Sequence, residues 1–155
     1  MIQKILTGIA FFVIGFGIAV YTDLFFRQLI QDLFQWTTNN RIKFGGKDFY
    51  LFGNPIYFAS LGLIFLIFSI ANKKKEIQEI ALNGIILVLI FGILLTAISA
   101  LDANLKIIEC TACDDGTRRL SYNEINYGLI LTTSTLLSII PSLITILKKR
   151  GKANV

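Results

Sequence analysis

The chain has 155 residues, 54% of them hydrophobic and only 16% charged, with a formal net charge of +5 and no histidine. A soluble domain carries about 25% charged residues, so the deficit points to a membrane. Without histidine the commonest general base, metal ligand and haem axial ligand are missing, and neither a metal nor a cofactor is expected. The length allows one domain, and no internal repeat is visible.

Four apolar stretches without a charged residue predict four transmembrane helices, at about 5–21, 55–71, 80–101 and 127–147. Each approaches the roughly 20 residues needed to cross the hydrocarbon core. The first, preceded by Lys4, has the flanks of a signal peptide. Ala19-Val20-Tyr21, however, places a bulky tyrosine where a cleavage site needs a small residue, so a retained helix is expected.

Residues 22–54 form a long first outer loop. Within it, 23–36 read as an amphipathic helix, with Asp23, Arg27, Gln28, Gln31, Asp32 and Gln35 on a polar face. Joined to a transmembrane helix, such a segment is expected to lie in the membrane interface with Phe25, Leu29, Leu33 and Trp36 toward lipid or the bundle. Two short β-favouring runs then flank Gly45-Gly46, which predicts a hairpin.

Helix two carries small residues at Ala59, Gly62 and Ser69, as helix one does at Gly8, Gly15 and Ala19. Helix three adds Ala81, Gly84, Gly92, Thr96, Ser99 and Ala103. Small residues let helices approach closely in lipid.

The second outer loop, 102–126, predicts another hairpin, with Lys106–Cys110 and Thr117–Tyr122 as arms. Its turn holds Cys110-Thr111-Ala112-Cys113, a C-x-x-C pair that can be a disulfide, a redox couple or half of a metal site. Glu109, Asp114 and Asp115 crowd these thiols with negative charge and oppose thiolate formation. A structural disulfide between Cys110 and Cys113 is the expectation, with a redox pair as alternative. Asp115-Gly116-Thr117-Arg118-Arg119 has the acidic DG of a membrane phosphotransferase but none of the further carboxylates such a site needs.

Helix four carries a hydroxyl seam, Gly128, Thr132, Thr135, Ser138, Ser142 and Thr145, and a proline, Pro141, that predicts a kink. No ionisable residue falls inside the four predicted spans, so proton relays and ion paths lack their usual groups.

Lysine and arginine set the orientation. Segments 1–4, 72–79 and 148–155 hold eight of them in 20 residues, whereas 22–54 and 102–126 hold seven in 58. Both termini are therefore expected in the cytoplasm of a cell (plasma or inner) membrane. The basic balance is a topology signal, not a nucleic-acid footprint. The expected architecture is an all-α four-helix transmembrane bundle with a small outer cap, an interfacial helix plus two β-hairpins. The expected role is a non-catalytic interaction or accessory protein, its partners the bilayer and another membrane protein or a second copy. Thiol–disulfide exchange and a channel or carrier for a small neutral solute are the alternatives.

Overall fold

A computed structural model describes residues 2–45, 55–73, 75–109 and 117–152. The elements run α1 (Ile2–Thr37), β1 (Ile42–Gly45), α2 (Pro55–Asn72), α3 (Ile77–Ile108), β2 (Arg118–Ser121), α4 (Tyr127–Ser138) and α5 (Ile140–Lys152). Four helical segments are long and apolar enough to cross a membrane: Ile5–Thr37, Pro55–Asn72, Ile77–Ile108 and Tyr127–Ile144. The fourth covers α4 and the start of α5.

Helices α1 and α2 run antiparallel and interlock through glycines. The side of Gly15 receives Phe65 and the Leu61 carbonyl, and the side of Gly62 receives Phe12; a Cβ at either glycine would stand 2.9 Å from these atoms. In lipid, where apolar burial drives little, such close backbone approach supplies the association. Helix α1 also packs on α3, and α4 closes the bundle against α2 and α3. Ser99 and Ala103 of α3 are fully buried, but nothing lies within 4 Å of a Cβ built on Gly92. A Cβ built on Gly84, nearer the start of α3, would stand 3.8 Å from Phe68 of α2, so the small stripe makes contacts toward both ends and leaves open space at Gly92.

Helix α1 does not stop at the expected membrane boundary. Its 36 residues span about 54 Å at 1.5 Å per residue, against a hydrocarbon core of about 30 Å. Residues 23–36 are helical as the amphipathic pattern predicted, but they continue α1 instead of forming a separate helix. The polar face is also corrected: Asp23 and Arg27 are buried, at 4% and 6% exposure, while Phe25 and Trp36 are exposed at 61% and 72%. Leu29 and Leu33 are partly buried against the core. The helix ends where Asn39 and Asn40 take positive φ (51° and 57°), a conformation asparagine tolerates better than most residues. Thr38 closes the last turn by donating to the Phe34 carbonyl.

The cap also departs from two hairpins. β1 and β2 pair with each other, in parallel, with Ile42 opposite Arg118 and Phe44 opposite Leu120. Lys106 to Ile108, expected as a hairpin arm, are the last turn of α3. An apolar run with a lysine at its end suits the end of a long helix as well as a strand, since basic groups are favourable at helix C-termini. The second arm of the first hairpin and the Cys110–Cys113 turn lie outside the described residues.

Helix four is interrupted at Ile139, two residues before Pro141. Proline has no N–H to donate and its ring clashes with the preceding turn, so the predicted kink is a break between α4 and α5. Pro141 then sits in the first turn of α5, where proline is tolerated.

Candidate functional site

Beneath the cap, α1 carries an ion pair into the bundle. Asp23 and Arg27 stand one helical turn apart, and Arg27 Nε donates to Asp23 Oδ2 at 2.9 Å with both side chains almost fully buried. The Arg27 guanidinium lies over the Tyr127 ring, 5.3 Å from its centroid, a cation–π geometry. Gln31, the next residue of the same stripe, donates from Nε2 to the Tyr127 hydroxyl at 2.8 Å. On the other flank Tyr57 is fully buried, its hydroxyl beside Thr22 and Asp23 without completing a hydrogen bond.

Tyr57 belongs to the first turn of α2, and Tyr127 is the first residue of α4. The stripe Asp23–Arg27–Gln31 therefore holds the starting turn of α4 against α1, with the first turn of α2 packed beside it. This is the only ion pair among the described residues. Chemically the arrangement is a clamp. The carboxylate is engaged by a guanidinium that cannot give up its proton, and removing either partner strands a charge in a poorly solvated site.

Above the clamp, aromatic rings join cap to bundle. Phe44 of β1 stacks on Tyr122 (5.7 Å, 17° between planes) and leans on Phe34 of α1. The Arg118 N–H donates to the Arg41 carbonyl at 2.7 Å, and the Arg118 guanidinium bonds the Lys106 carbonyl at the end of α3. A Ser121–Glu124 capping box starts the turn that leads into α4, whose first turn is capped by Asn126.

The hydroxyl seam of helix four is partly spent on its own helix, while the buried Thr132 hydroxyl has no hydrogen-bond partner. Ser134, Thr135 and Ser138 are buried and donate to the carbonyls of Ile130, Leu131 and Thr135. Such back-bonding satisfies hydroxyls at a tight helix contact.

The four residues expected at the interface separate. Phe25 and Trp36 face outward, and Leu29 and Leu33 join the core. Cys110 and Cys113 lie outside the described residues. The clamp was missed because a single helical stripe of Asp, Arg and Gln reads as a solvated face. The available signal was the i, i+4 opposite charges together with tyrosines at the starts of helices two and four. Comparison with protein-family models, curated proteins and solved structures finds no match to this chain.

Proposed function

We propose that this protein is a non-catalytic, multi-pass membrane protein that docks another membrane protein through the parts of α1 and α3 that overrun the bilayer. One observation carries the reading. Helix α3, with 32 residues, is about 48 Å long, some 18 Å more than the hydrocarbon core. Over that excess it presents Leu101, Leu105 and Ile108 at 66%, 54% and 77% exposure. These are i, i+4 and i+7, one face of a helix, and helix-in-groove recognition uses that spacing. Lipid tails solvate apolar residues inside the core but not beyond it. Exposed Trp36, on the corresponding part of α1, adds an anchor of the type enriched at interfaces.

The lysine-rich ends, at Lys73–Lys75 and the C-terminus, are placed in the cytoplasm of the cell membrane by the density of lysine and arginine. The cap then faces outward, the side on which a disulfide between Cys110 and Cys113 would be stable.

A photo-crosslinking residue at Leu105, compared with one at Val88 in the centre of α3, tests the reading in native membranes. A discrete protein adduct is expected from position 105, lost with Leu101→Asp and Ile108→Asp, and lipid adducts from 88. Its mass distinguishes a second copy from a different partner. Lipid adducts from both positions would refute the docking face.

A further inference from the structure

At the end opposite the cap, the helix-four break opens the bundle. α4 packs on both α2 and α3, and beyond Ile139 the chain keeps mainly to α2. A pocket of about 60 Å³ lies between α2, α3 and α5, walled by Asn72, Asn83, Ser138 and Ser142, by Ile86 and Ile90, and with Lys75 at the rim.

The polar wall is built. Asn72 is buried and donates to the Phe68 carbonyl at 2.9 Å, while its Oδ1 accepts from Asn83 Nδ2 at 2.8 Å. That pairing leaves the second Asn83 amide hydrogen as a donor. Lys75 is half-buried, and neither Glu76 nor Glu79 forms an ion pair with it. A lysine can bury its stem and keep its ammonium accessible, so Lys75 is available to an anion at the pocket.

We propose that this pocket binds the phosphate of an anionic phospholipid from the leaflet at the lysine-rich end. A pocket of about 60 Å³ admits a compact polar group. Donors from Asn83 and Lys75 meet the charged oxygens, and charge-assisted bonds of this kind are the strong ones. The acyl chains lie outside, along exposed Ile86 and Leu82 of α3. Lys73, exposed beside the rim, adds long-range attraction that raises local anion concentration. The proposal is independent of the docking face at the cap.

The test uses the full chain in detergent, titrated with phosphatidylglycerol or phosphatidylcholine, with retained lipid counted by native mass spectrometry. One phosphatidylglycerol per chain is expected, retained over phosphatidylcholine. Lys75→Gln lowers that retention about tenfold, the scale of one charge-assisted bond. Lys75→Arg keeps it, and Lys148→Gln, six residues beyond Ser142 along α5, leaves it unchanged. Thermal unfolding in phosphatidylcholine alone is the same for all three variants and shows that they fold. Equal retention of the two lipids would overturn the proposal, and so would equal losses in Lys75→Gln and Lys148→Gln. Protection by inorganic phosphate as effective as that by phosphatidylglycerol would assign the pocket to a soluble anion and overturn the lipid reading.

Discussion

The two ends of the bundle treat their polar groups in opposite ways. At the cap end Asp23, Arg27, Gln31 and Tyr127 satisfy one another and hold α4 to α1. At the lysine-rich end Asn83 and Lys75 line an open pocket and have capacity to spare. A buried polar network that is complete rigidifies, and one that is incomplete asks for a ligand. The cap end is thus built as a fixed platform and the opposite end as a binding edge.

The largest expected effect is at the clamp. Arg27→Ala leaves a buried carboxylate unpaired and costs about 3–5 kcal/mol, read as reduced resistance to denaturant in detergent. The double change Asp23→Leu with Arg27→Met removes both charges, and it recovers most of that loss if the pair acts as a clamp. Next comes the glycine interlock. Gly62→Leu must displace Phe12 and its backbone carbonyl and lowers stability by about 1–3 kcal/mol. The same change at Gly92, where space is open, is nearly neutral. Smaller still, Tyr122→Ala removes the ring stacked on Phe44 and costs about 1 kcal/mol, loosening the cap with the bundle intact. The smallest stability change is at the break. Pro141→Ala lowers stability by no more than about 1 kcal/mol, through the unfolded chain. It nonetheless reduces phosphatidylglycerol retention, because a straighter α5 narrows the pocket.

Four spans were legible from hydropathy because an apolar run of about 20 residues has few other uses. The starts of helices two and four fell at Pro55 and Tyr127 as read, and Pro141 marked the break. Helix ends beyond the membrane were not legible. Once past Tyr21, the composition of α1 turns amphipathic, and sequence periodicity reports that a helix has two faces without saying which face meets protein. The polar stripe therefore seemed to face water, while Tyr57 and Tyr127, which meet it, stand far along the sequence. Strand pairing failed for a related reason. Gly45-Gly46 advertises a local turn, whereas the partner of β1 is 76 positions on, and nothing local encodes a parallel partner.

Trp36 is the only tryptophan in the chain, which makes the central claim, that α1 rises from the bilayer as one continuous helix, directly measurable. Its fluorescence in reconstituted vesicles is quenched in turn by acrylamide in the water and by lipids brominated along their acyl chains. A continuous α1 places the indole beyond the hydrocarbon core, 72% exposed. Strong quenching by acrylamide and almost none by brominated lipid is predicted. Strong quenching by brominated lipid with protection from acrylamide would mean that residues 23–36 lie flat in the interface, and would contradict the account.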